Sequence, residues 1–358
     1  MFNKRVLDLN PYVVSKRYAG RHEGSWLFLD WNETTYPVPE PIKDRLRDAV
    51  DRGLGVSYPD GDCEQVSKEI GEFVGLSPEN ILVFNGSDSA LKDCIECLLD
   101  PGDVVCIVEP EYSQINTYVQ MASGILEGLR FTNPMNLSIE DLKEVIKDKK
   151  VLYLSNPSNP TGRYLNRSEI KIILDVGICL LLDEAYVEFA QESLADLVLE
   201  YKNLFIFRTF SKAFGLAGLR LGYLISDKEN VKVLKKNRNS KEINSFAQIA
   251  AVEALRNFDI YEKRIKEITK ERESFLDFIN GLHVSIRAFD SMANFVIIKT
   301  EHMAELLGWL ENCHILIRDR RGMYFMEDCA RISIGTPTEM DRAKLAIQTF
   351  FTQLRNSR

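Results

Sequence analysis

At 358 residues the chain is long enough for two domains around substantial cores. Hydrophobic residues make up 45% and charged residues 27%, the balance of an ordinary globular protein rather than a disordered one. A net charge of −8 with arginines clustered only locally argues against nucleic acid or an anionic membrane as main partner, and no run approaches the roughly 18 apolar residues of a membrane span.

The opening residues, Met1-Phe2-Asn3-Lys4-Arg5-Val6-Leu7-Asp8, lack the apolar core of a signal peptide, so a cytoplasmic location is expected. Residues 1–30 read as an N-terminal arm. From 31 to 240, short apolar runs alternate with helical stretches, the pattern of a mostly parallel sheet with helices on both faces.

The first such run, Ile81-Leu82-Val83-Phe84, leads into Asn85-Gly86-Ser87-Asp88-Ser89-Ala90-Leu91. Strand, glycine turn and helix place N–H groups and the positive end of a helix dipole toward an anion, although capped helices also begin this way. Val104–Val108 is a second strand and leads into Glu109-Pro110-Glu111-Tyr112-Ser113. Val151–Leu154 is a third and runs into Ser155-Asn156-Pro157-Ser158-Asn159-Pro160-Thr161-Gly162. There, two X-Pro units and a glycine impose an extended turn that would present the Asn159 amide as a fixed donor.

The apolar run Val176–Leu182 ends at Asp183-Glu184-Ala185-Tyr186. A run of this kind reads as a strand buried on both faces. Its carboxylate then emerges where open α/β sheets bind ligands, a place also used by helix caps. Leu204–Arg208 leads into Thr209-Phe210-Ser211-Lys212-Ala213-Phe214-Gly215-Leu216-Ala217-Gly218-Leu219-Arg220. An amine between a strand and a glycine-rich turn, with an arginine following, suits an aldehyde cofactor that carries a phosphate. Leu221–Ile225 is the next strand, and the charged stretch Lys228–Lys241 starts the crossing to a smaller C-terminal α/β domain, 241–358. Its candidate strands are Phe295–Ile298, Ile315–Ile317 and Arg331–Ile334, and Met340–Leu354 is its closing helix.

The order of these segments resembles that of fold-type I pyridoxal-phosphate enzymes of the class I and II aminotransferases, and among them the histidinol-phosphate aminotransferases. The resemblance runs from Pro11-Tyr12 to Arg331-Ile332-Ser333-Ile334-Gly335. It implies pyridoxal 5'-phosphate as cofactor, with Lys212 as the Schiff-base lysine and proton shuttle and Asp183 paired to the pyridinium nitrogen. Asn159 and Tyr186 would bond the phenolic oxygen, and Tyr112 would stack on the ring. Gly86, Ser87, Asp88, Ser211 and Arg220 would form the phosphate cup. Tyr58, in Ser57-Tyr58-Pro59-Asp60, would reach the phosphate of a partner subunit, which implies a homodimer.

By the same resemblance Arg331 grips the substrate carboxylate or its counterpart, Arg318 helps to bind a substrate phosphate, and Tyr12 and Asn32 line the substrate mouth. Arg320 and Arg321 read as solvated loop arginines. One departure stands out. Relatives carry an apolar Pro/Tyr-containing wall segment where this chain has Asn237–Ser245, which is polar and charged. Such a wall disfavours an imidazole and favours a smaller, more polar keto compound, phosphorylated or from a sugar pathway.

The implied activity is therefore amino transfer between an amino acid, with glutamate as the expected donor, and such an acceptor. A decarboxylase of phosphoserine or phosphothreonine type shares these motifs, because substrate placement decides which Cα bond breaks. A non-catalytic cofactor-binding regulator is the remaining alternative. The seven cysteines are odd in number and scattered, as expected of reduced cytosolic thiols. Cys94-Ile95-Glu96-Cys97 has redox spacing but falls in a helical stretch, and the four histidines are dispersed, so no metal site is expected.

Overall fold

A computed structural model of the chain describes residues 2–7, 9, 26–190 and 192–356. Its strands are β1 (Leu27–Leu29), β2 (Ile81–Phe84), β3 (Val104–Val108), β4 (Ile125–Leu129), β5 (Val151–Ser155) and β6 (Cys179–Asp183). They continue with β7 (Leu204–Thr209), β8 (Gly222–Ser226), β9 (Arg287–Phe289), β10 (Phe295–Lys299), β11 (Ile315–Asp319) and β12 (Cys329–Ser333). A seven-stranded sheet has the order β2-β8-β7-β6-β5-β3-β4, with β8 running against both of its neighbours. The expected, mostly parallel sheet is thus present.

The central strands are apolar throughout because both of their faces are covered. Successive residues of β5–β7 alternate between two cores. Leu152, Leu154, Leu180, Leu182 and Ile206 enter one cluster. Val151, Tyr153, Leu181, Phe205 and Phe207 enter the other, where they meet Ala90, Leu91, Cys94 and Ile95 of the helix Ser87–Leu98. The period of two thus places a helical layer on each side. Cys94 of the Cys-X-X-Cys spacing is one of these core residues, and none of the seven cysteines is paired.

The apolar run Val176–Leu182 is shorter as a strand than it reads. Gly177, at φ +88°, turns the chain out of the helix Arg167–Leu174 and donates to Leu174 O at 2.9 Å, so β6 begins only at Cys179. The length expected for that strand is corrected accordingly, while its end at Asp183 holds.

The second sheet has the order β1-β11-β12-β10-β9. β1 pairs in parallel with β11, whereas β11–β12, β12–β10 and β10–β9 are antiparallel. Residues just before 31 therefore supply a strand to the sheet whose other members follow residue 286. The helix Ser245–Arg256 packs on Glu40–Asp51 and Glu64–Val74, and the long helix Phe258–Asn280 on β9, β10 and the terminal helix Pro337–Asn356. We propose that an arm, 1–30, precedes a larger domain, 31–240, and a smaller one, 241–358. No helix among the described residues is long and apolar enough to cross a membrane.

Candidate active site

The C-terminal ends of β5, β6 and β7 open into a pocket that β11, β12 and the segment after β1 close from the other side. Asp183 lies at its floor, opposite Ser155 in the β5–β6 register. Its carboxylate accepts the Tyr153 hydroxyl and the Ala185 N–H, each at 2.9 Å. Burial outweighs these two donors and raises the carboxyl to about 6. A cation beside it would restore the ionised form.

Glycines create the anion-binding end. Gly86 has φ +85°, and a Cβ there would stand 2.7 Å from Arg220 Nη2. A Cβ on Gly222 would lie 2.2 Å from the Ser87 N, so β8 approaches the loop as only glycine allows. The helix Ser87–Leu98 starts there without a side-chain cap, leaving its first-turn donors for an anion. Ser87, Asp88, Ser211 and Arg220 line the pocket, whereas Gly86 acts by making room. Asp88 accepts the Tyr112 hydroxyl at 2.9 Å and lies 3.7 Å from Arg220 Nη2.

Lys212 Nζ donates to the Trp31 carbonyl at 3.0 Å and stands 5.9 Å from the Tyr186 ring centroid. The Tyr186 hydroxyl accepts from Asn32 Nδ2 at 2.9 Å. Asn32 is buried and is locked by Ser333 Oγ on its own N–H at 2.9 Å and by Asn294 Nδ2 on its carbonyl at 3.0 Å. Arg331 on β12 donates through Nη1 to Asn159 Oδ1 at 2.5 Å and through Nη2 to the Asp30 carbonyl at 2.8 Å. With its oxygen engaged, Asn159 has its NH2 group left as the donor. Arg318 faces Arg331 across β11–β12 and also lines the pocket.

Most of the residues singled out from the sequence therefore converge. Tyr58 does not line this chain's own pocket: it is 80% exposed, with Lys241 Nζ 4.5 Å from its ring. Tyr12 lies outside the described residues. The polar stretch Asn237–Ser245 contributes no lining residue to this chain's own pocket. Its Arg238 is instead buried, bonded to the Val83 carbonyl at 2.9 Å and to the Gly61 carbonyl.

Arg320, expected in solvent, lines the pocket, whereas Arg321 pairs with Asp319 at 2.8 Å. The period of two from Arg318 was the available signal for Arg320. Trp31, Glu111, Ser155 and Met323 are further lining residues that motif reading passed over.

Residues 25–347 match the family model described as aminotransferase class I and II. The chain is 35% identical to a dihydroxyacetone phosphate transaminase of Campylobacter jejuni, over 97% of this chain and 96% of that protein. It is 31% identical to a histidinol-phosphate aminotransferase of Thermoanaerobacter pseudethanolicus, over 86% and 88% of the two chains. It superposes on the crystal structure of the Sinorhizobium meliloti histidinol-phosphate aminotransferase in complex with pyridoxal-5'-phosphate, with a TM-score of 0.89 and 23% identity. That match covers 99% of this chain and 98% of the other, and it is a likeness of fold.

Proposed function

The chain belongs to the aminotransferase class I and II family, and on that premise we propose that it carries the amino group of an amino acid, glutamate foremost, to a small phosphorylated ketone. It is a pyridoxal-phosphate aminotransferase of fold type I. The substrate reading is carried by one observation: Arg318, Arg320 and Arg331 meet on one rim of the pocket. Arg318 and Arg331 are cross-strand partners, and like charges placed opposite each other repel unless an anion spans them. A dianionic phosphate does so, and the relative named for dihydroxyacetone phosphate supports this choice.

The pocket suits pyridoxal 5'-phosphate. The Gly86 cradle beside Arg220 would take the phosphate, and the Asp183 carboxyl on the pocket floor suits a protonated ring nitrogen. Bound there, the cofactor supplies an electron sink for the pair released when a Cα bond breaks. We assign the protein's steps to its own side chains. Lys212 Nζ would hold the cofactor aldehyde and serve as the base at the donor Cα, while the Asp183 carboxylate would keep the ring nitrogen protonated. Asn159 Nδ2 and the Tyr186 hydroxyl orient the phenolic oxygen, Tyr112 fixes the ring plane, and Arg331 takes the donor carboxylate. Asn32 keeps Tyr186 in place, and Trp31 holds Lys212 through its carbonyl.

The test compares dihydroxyacetone phosphate with dihydroxyacetone as acceptor, after loading the holo-protein with glutamate. Charge-assisted contacts to phosphate should favour the phosphorylated ketone by on the order of 100-fold in kcat/KM. Equal rates would remove the substrate reading. Carbon dioxide released from phosphoserine, without 2-oxoglutarate from glutamate, would overturn transfer in favour of decarboxylation.

We also propose a cytoplasmic homodimer in which Tyr58 serves the partner's pocket. The exposure of Tyr58 together with Val56 supports this, as does the lack of any Tyr58 contribution to its own pocket. Tyr58→Ala and Lys212→Ala chains, each weakly active alone, should regain about one quarter of wild-type activity when refolded together, because half of the random dimers carry one complete site. Mixtures no more active than their components would rule out the shared site.

A further inference from the structure

Glu111 is a charged, buried residue of the pocket for which the reaction above has no use. It is 4% exposed and lines the pocket beside Ser155. Its Oε1 accepts the Ser155 hydroxyl and the Tyr112 N–H, the latter at 2.9 Å, and its Oε2 accepts the Ser155 N–H at 3.0 Å. All three partners donate, and two are backbone N–H groups that cannot reverse. A carboxylate satisfies this set, whereas an amide would turn a donor against one of the two backbone N–H groups. Burial works against that charge and raises the carboxyl to about 7, with Arg163 lending electrostatic support.

The Ser155 hydroxyl, committed to Glu111 as donor, accepts the Asn159 N–H at 2.9 Å. Asn159 in turn accepts Arg331 Nη1. One continuous path thus runs from the buried carboxylate to the arginine on β12, from the first sheet to the second.

We infer that Glu111 is a positioning residue for amino transfer. Through Ser155 it holds Asn159 where Arg331 engages the amide oxygen, so that the group facing the cofactor and the group facing the donor carboxylate keep one fixed relation. The inference rests on the roles assigned above to Asn159 and Arg331. Loss of the link frees the Asn159 loop and lets Arg331 lose the partner that aims it. Binding of a carboxylate then suffers before the proton transfers at Lys212 do.

The experiment uses the holoenzyme with Glu111→Ala, Ser155→Ala and the double variant. KM for glutamate is measured beside kcat. Calorimetry gives the Kd of maleate, a dicarboxylate with no group to transfer. Each single variant should raise KM and the maleate Kd about five-fold, the size of one lost hydrogen bond, with kcat within about two-fold of wild type. The double variant should be no worse than the singles, because both act along one path. The Asn159 contact should also show as a shift in the absorbance of the bound cofactor in all three.

Unchanged maleate affinity in folded Ser155→Ala would overturn the inference, even if Glu111→Ala failed to fold. Multiplicative effects in the double variant would overturn it as well. Arg331→Lys separates the two levels: maleate affinity unaffected by that change would remove the role of Arg331 itself rather than its support by Glu111.

Discussion

Replacing Lys212 with alanine is expected to lower turnover by on the order of 10⁴-fold while leaving the protein folded and able to bind cofactor. Two functions leave with the amine: the covalent attachment and the proton transfer at Cα, the latter alone being worth about 10²–10⁴-fold. The geometry suits both. Lys212 Nζ has a neutral backbone carbonyl, that of Trp31, as its hydrogen-bond partner. The phosphate cup formed by Ser87, Ser211 and Arg220 does not depend on Lys212, so cofactor should still associate. Mixing the variant with glutamate and following cofactor absorbance decides the matter. Turnover within about ten-fold of wild type would end the assignment, because no other lysine among the described residues lines this pocket.

Why were Lys212, Asp183 and Asn159 legible from the sequence? Asp183 closes an apolar strand, and Asn159 and Lys212 lie in the loops that follow two others; parallel strands deliver such residues to one edge of the sheet. Strand identity and edge position are local signals, so the floor of the pocket could be read without tertiary information. The opposite rim could be read only in part. Arg318 and Arg331 stood out by resemblance, but that they face each other depends on the β11–β12 register, which no local pattern encodes.

Arg320 was assigned to solvent because a run of charges is usually solvated, and the strand period argued otherwise. Glu111 and Ser155 were hidden for another reason. A hydroxyl and an acid become a relay only when β3 and β5 lie side by side, as they do here. The edge strand β4 was missed because its partly exposed Ile-Leu-Glu-Gly-Leu lacks the apolar density of its neighbours. Asn237–Ser245 lines no part of this chain's own pocket, and similarity of position does not say which subunit's pocket such a segment faces.

Asp183→Ala is expected to cost about 10³-fold in turnover, and Asp183→Asn nearly as much, because either change removes the charge that keeps the ring nitrogen protonated. The wild-type carboxyl also predicts a pH signature. Burial raises it from 3.8 to about 6 in the protein without cofactor. Its contribution to apoprotein stability is therefore full below the ordinary aspartate range and is lost as pH rises through about 6. Cofactor binding works in the opposite sense. A protonated ring nitrogen gains its partner only once the carboxylate has formed, so affinity should weaken about ten-fold for each pH unit below about 6 and level off above it. Titrating apoprotein with pyridoxal 5'-phosphate from pH 5 to 8 measures this, and Asp183→Asn should flatten the slope. A slope that survives in Asp183→Asn would remove Asp183 as the group responsible.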